Sequence, residues 1–123
     1  MDEIRLTLPD DPRLYPVAHL VLAGIGSRFD LTVDGLDDLR LGLDSLLART
    51  RRGAEVTISV RIDGGRLLTE VGPLESMVLE RELAAERAAG LSLGRILDTV
   101  VDGVHVRNRD GGAWVTLEKR VNG

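Results

Sequence analysis

The chain has no cysteine and, in 123 residues, only one tryptophan, one tyrosine and one phenylalanine. The first absence excludes disulfides and thiolate metal sites and fits a reducing compartment. The second leaves few rings to stack on nucleic-acid bases and makes aliphatic side chains the builders of the core. Lysine is nearly missing too: Lys119 is the only one, and every other basic residue is arginine. That bias is better ascribed to a GC-rich genome than to selection for phosphate forks. The net charge of −4 argues against a broad basic surface for nucleic acid. There is no long apolar run. Val17 to Gly26 is the longest, is interrupted by His19, and falls far short of the roughly 20 residues that span a bilayer. The N-terminal MDEIRLTLPDD has neither the basic nor the apolar region of a signal peptide, so a soluble, cytoplasmic protein without membrane contact is expected.

What is present is patterned. The length suits one domain over residues 1–123 that buries about two-thirds of its unfolded surface. Ile4, Leu6 and Leu8 alternate with Arg5 and Thr7, as in a strand with one wet face. Asp10-Asp11-Pro12 ends it and supplies helix-start chemistry. From about Leu14 to Phe29, Val17, Leu20, Val21 and Ile25 form a helix stripe that Ala18, Leu22 and Phe29 widen. Val56, Ile58, Val60 and Ile62 alternate with Thr57, Ser59 and Arg61, and Asp63-Gly64-Gly65-Arg66 turns that strand into Leu67 to Val71. Ser76 to Ala89 reads as a charged helix stopped by Gly90, and Ser92 caps a further helix with the stripe Leu93, Ile96, Leu97, Val100 and Val101. A second hairpin over Val104–Glu118, turning at Asp110-Gly111-Gly112, closes the chain. One apolar face per strand predicts an α+β fold: a two-layer α/β sandwich with a mixed, largely antiparallel sheet and helices on one face.

The most informative segment is Leu36 to Arg52. Leu36, Leu39, Leu43, Leu46 and Leu47 fall on one helix face, with Thr32 as a candidate N-cap and Arg49, Arg51 and Arg52 at the C-terminal end. Ser45 and Arg49 lie one turn apart beside that face. Asp37 to Ser45, and Gly90 to Val104 near the C-terminus, resemble two segments of the RsbW-type anti-sigma factors, serine kinase-like members of the GHKL (histidine-kinase-like) ATPase superfamily. With the order of elements, the resemblance covers nearly the whole chain. It implies a histidine-kinase-like ATPase fold, and it implies a nucleotide site built from a glutamate and an asparagine on the central helix.

Those two residues would stand at Ser45 and Arg49. The resemblance gives the asparagine to Mg²⁺ and the glutamate to activating the attacking hydroxyl. Magnesium needs hard oxygen ligands; arginine is a permanent cation, and a serine hydroxyl is not basic near neutral pH. Asp44, about 100° around the helix from Ser45, is a poor substitute. The family's adenine-binding aspartate would stand at Pro73, which has no acceptor side chain and no backbone donor. Glu70 or Glu75 would replace it only if the alignment slipped. Gly90, Ser92 and Gly94 could still present free N–H groups to an anion; the plainer reading is that Gly90 ends one helix and Ser92 begins the next. His19 and His105 sit on different elements without metal-ligand spacing, so no metal site is expected. His19 falls where the family often carries a partner-binding arginine. Trp114 marks either a contact patch or a residue folded over its own sheet.

No catalytic residue is therefore assigned and no cofactor is expected; ATP and magnesium would enter only through a rearranged site. The resemblance implies a regulatory protein that binds a sigma factor or an anti-sigma antagonist without normal ATP turnover. The alternative is an active serine kinase that phosphorylates its antagonist through displaced residues such as Asp44 or Glu70. A homodimer through the sheet or first helix is a third arrangement.

Overall fold

The computed structural model describes residues 3–29, 31–49, 53–75, 93–109 and 111–121. The expected helix at Ser76 to Ala89, with Gly90 and Ser92, lies outside them. Five strands form one sheet: β1 (Glu3–Pro9), β2 (Glu55–Asp63), β3 (Arg66–Leu74), β4 (Gly103–Arg109) and β5 (Gly112–Arg120), in the order β1-β2-β3-β5-β4. Sequence patterning allowed a mixed sheet, but all four pairings are antiparallel. The β2–β3 connection is a tight hairpin with Gly64 at φ 58° and Gly65 at φ 78°, the left-handed pair that a type I′ turn requires.

Among the described residues, three α-helices cover one face. α1 (Tyr15–Arg28) packs over β2, α2 (Val33–Leu47) over β5, and α3 (Leu93–Val100) beside β4, so α2 lies between the other two. α1 is preceded by a single 3-10 turn, Pro12–Leu14, capped by Asp11, whose carboxylate accepts the Arg13 N–H at 2.9 Å. Thr32 caps α2 as expected, its hydroxyl accepting the Gly35 N–H at 2.9 Å. Buried Asp10 accepts the Tyr15 hydroxyl at 2.9 Å, and its backbone bonds both Gly53 and Ala54. This pins the start of α1 to the approach to β2. Lys119 ties β5 to the helix layer by donating to Asp38 and to the Val100 carbonyl.

The core is aliphatic throughout. Leu39, Leu43, Leu46 and Leu47 of α2 are fully buried, and they meet Val56, Val60, Leu67, Val71, Val115 and Leu117 of the sheet and Leu93 and Leu97 of α3. The leucine face read from sequence is thus the centre of the molecule. The stripe read for α1 is rotated: Ala18, Leu22 and Ile25 point inward, whereas Val17 is 43% and Leu20 73% exposed. Apolar residues surround this helix, so periodicity alone has no polar face to set its phase.

Candidate functional site

α2 ends at Leu47, earlier than the run to Arg52 suggests, and Arg49 lies in the turn beyond it; Arg51 and Arg52 are outside the described residues. The Ala48 and Arg49 N–H groups bond back to Asp44 and Leu46, closing the last turn. Arg49 then folds over the helix end, and its Nη1 donates to the Ser45 carbonyl at 2.8 Å. A guanidinium satisfies one of the carbonyls that every helix C-terminus leaves open and complements the negative end of the dipole. Ser45 is buried beneath it. At the positions that the resemblance assigns to magnesium and base thus stand a guanidinium bonded to the helix end and a buried serine. These residues do not fit a magnesium–nucleotide complex. Among the described residues there is no cluster of three or more His, Cys, Asp or Glu that could hold a metal ion.

Pro73 is an exposed residue of β3 itself, beyond the Leu67–Val71 run read from the pattern. The Gly72–Pro73 peptide is cis, and the β3–β5 register shifts between Val71 and Leu74. Gly72 is required by close approach: a Cβ there would lie 2.5 Å from Cδ2 of Trp114. Trp114 is thus folded over its own sheet, with the Arg109 guanidinium 4.2 Å above its ring centroid. Pro73 gives the region no side-chain acceptor. Glu70 cannot replace one, because its carboxylate is on the sheet face away from the helices. There it accepts Arg107 Nη2 at 3.0 Å and the Thr116 hydroxyl at 3.4 Å, with Arg109 Nη2 at 3.5 Å. Glu75 is exposed beyond the end of β3.

His19, read as a partner-facing residue, lies between α1 and α2 with its side chain 18% exposed. Its Nε2 is 2.7 Å from Asp44 Oδ1, and Arg40 Nη2 is 3.5 Å from its Nδ1. Asp44, the other candidate substitute, is therefore engaged in tying two helices together. The outward positions on α1 belong to Val17 and Leu20. Gly94 lies in α3; the rest of the proposed anion site, Gly90 and Ser92, is outside the described residues.

Strand alternation marked the side chains of the open sheet face but not what they form. The register aligns Arg5, Ser59, Glu70, Thr116 and His105 in one row across all five strands. Buried Ser59 accepts from Arg5 at 3.3 Å and donates to Glu3 at 3.0 Å. A cavity of about 200 Å³ opens above this row. A second cleft, of about 420 Å³, lies between Ile25 and Phe29 at the end of α1 and Ile4, Val60 and Ile62 of β1 and β2.

No protein-family model matches the sequence, and no curated protein sequence is significantly similar to it. Among solved structures, the crystal structure of the RsbU and RsbW domains of Rv1364c from Mycobacterium tuberculosis is similar, with a TM-score of 0.69 at 11% identity. The fold is shared. The match covers 98% of this chain and 32% of that one, so the chain spans about a third of the length of its structural neighbour. At that identity the likeness extends to the path of the backbone. The site has to be read from this chain's own residues, and no helix among those described is long and apolar enough to cross a membrane.

Proposed function

We propose that the protein is a regulatory binding module of the anti-sigma type, holding a sigma factor or an anti-sigma antagonist without turning over ATP. The observation that carries this reading is Arg49. Its guanidinium is bonded to the carbonyl of Ser45 at the end of α2, where the resemblance would place the magnesium ligand. Pro73 at the adenine position supports it independently. Both substitutes considered for the catalytic alternative are engaged elsewhere: Asp44 is paired with His19, and Glu70 lies on the far side of the sheet. The shared fold makes a protein partner the natural ligand class, by analogy of architecture.

Affinity capture from the native cytoplasm, with and without Mg-ATP, tests this reading. A sigma factor or its antagonist should be retained to the same extent in both. Tight Mg-ATP binding by titration calorimetry, together with phosphorylation of a captured antagonist, would overturn it in favour of a kinase.

A further inference from the structure

The open face of the sheet carries a feature that the Arg49 and Pro73 region does not account for. Four arginines project over it, Arg5 and Arg61 from one side and Arg107 and Arg109 from the other, around the cavity floored by Ser59 and Glu70. Only two carboxylates, Glu3 and Glu70, line the same cavity, although the chain as a whole is negative. Positive charge is therefore concentrated here against the trend of the molecule.

The existing pairs hold these arginines in place without using up their donors. Arg5 contacts Glu3 at 3.1 Å, Arg61 contacts Asp63 at 3.7 Å, and Arg107 and Arg109 share the largely buried Glu70. Stacking on Trp114 further orients Arg109. A guanidinium has five N–H donors in a rigid fork, and each of these contacts engages one or two. The arginine side chains remain 42–69% exposed, so their outer edges face solvent. Glu70 acts as a buried anchor: two cations converge on it and present a preorganised pair of forks outward.

We infer that this face is a docking site for an acidic protein segment, one of whose carboxylates enters the cavity between the Arg5/Arg61 and Arg107/Arg109 pairs. The dimensions favour an extended chain over a lone anion. β1 and β4 are the two edges of the sheet, and four interstrand steps of about 4.8 Å set their backbones about 19 Å apart. Donors spread over that width match carboxylates repeated along a peptide. Nucleic acid matches less well: Trp114 is the only tryptophan, Arg109 already covers its ring, and Tyr15 and Phe29 lie on the helix side, which leaves His105 as a small platform for bases. The inference rests on the reading of the protein as a binding module and adds the surface and chemistry of the partner.

A fluorescein-labelled peptide of alternating glutamate and serine is the probe, followed by polarisation with the whole chain. Binding should weaken as salt rises from about 0.05 to about 0.3 M. In the double variant Arg61→Gln/Arg107→Gln it should weaken about tenfold or more, equivalent to about 1.4 kcal/mol. Arg13→Gln, on the exposed turn before α1, should bind like the parent and controls for the loss of one positive charge away from the cavity. Circular dichroism and urea melts establish that both variants fold. No binding at millimolar protein, or equal binding by parent and double variant, would overturn the proposal. So would single-stranded DNA competing as well as the peptide through the same arginines. The two readings fail separately. If the native partner is captured equally by parent and double variant, the module stands and this surface does not. If the peptide binds through the arginines but no partner is captured, the reverse holds.

Discussion

Two rows of side chains cross the sheet one residue apart, and they are held by different physics. Leu6, Ile58, Val71, Val115 and Val106 form a row on the helix side; Arg5, Ser59, Glu70, Thr116 and His105 form the next row on the open side. In the first, the three central residues are buried in the aliphatic core. In the second, the contacts are ion pairs and hydroxyl bonds, several of them wet. Burying one large aliphatic side chain contributes about 1.5–3 kcal/mol, whereas an exposed ion pair contributes about 0–1 kcal/mol. The comparison teaches that an aliphatic core and a charged, hydrogen-bonded face are separated by a single step in register. Little of the stability of the fold therefore rests on the exposed ion pairs of the open face.

The largest expected effect breaks the apolar side. Leu43→Ala, at the fully buried centre of α2, should lower unfolding free energy by about 2–5 kcal/mol in urea melts. Leu41→Ala, two residues away and 51% exposed, should stay within about 0.5 kcal/mol. Equal losses would mean that the outer face of α2 is covered in solution.

Gly72→Val probes a place where the open face packs like a core. Its side chain would collide with the Trp114 ring, and overpacking should destabilise by about 1–3 kcal/mol and shift the single-tryptophan emission. A second substitution, Trp114→Ala, should recover part of that loss. An unchanged spectrum and midpoint would refute the close contact.

Thr69→Val reverses the sign of the comparison. Thr69 is a hydroxyl on the apolar side, fully buried, and its Oγ1 has no hydrogen-bond partner among the described residues. Leaving such a group unsatisfied costs about 1–3 kcal/mol, so the isosteric methyl should stabilise the protein by about 1 kcal/mol. A loss of stability instead would show that the hydroxyl has a partner in solution.

The smallest effect lies on the open side, at Glu3. The Ser59 hydroxyl and then the Arg5 guanidinium hold its carboxyl below the usual carboxylate range. A carboxyl whose folded pKa is depressed gives its stabilisation in full above the unfolded value and loses it as pH falls through the folded value. In Ser59→Ala, a carboxyl-detected NMR titration should show Glu3 moving back up toward the ordinary range. A titration identical to the parent would assign the shift to Arg5 alone.

The central helix and the strands were legible because each has a clear period with a polar phase marker. Leu39, Leu43, Leu46 and Leu47 repeat at helical spacing between polar residues, and Val56 to Ile62 alternate strictly with polar partners. α1 was legible as a helix but not in its orientation, since Val17, Leu20, Leu22 and Ile25 offer several apolar stripes and only packing selects Ala18, Leu22 and Ile25. The end of α2 was overrun because Arg49 and its basic neighbours are good helix residues, and the folding-back of Arg49 onto the Ser45 carbonyl is a helix-end contact that hydrophobic periodicity does not mark. β3 runs on past its expected end because a proline and a shift in register are tolerated where the strand meets β5. The positions Ser45, Arg49 and Pro73 were singled out by the resemblance. That Glu70 faces away from the helices, and that Asp44 pairs with His19, required the register and the packing angle of α1.

By itself the sequence determined most of the secondary elements and the leucine core of α2, because periodicity is a local property. Only the tertiary structure decided what meets what. Arg5 and Arg107 are about a hundred residues apart in the chain, and they line one cavity because the strand register puts both on the open face of a single sheet.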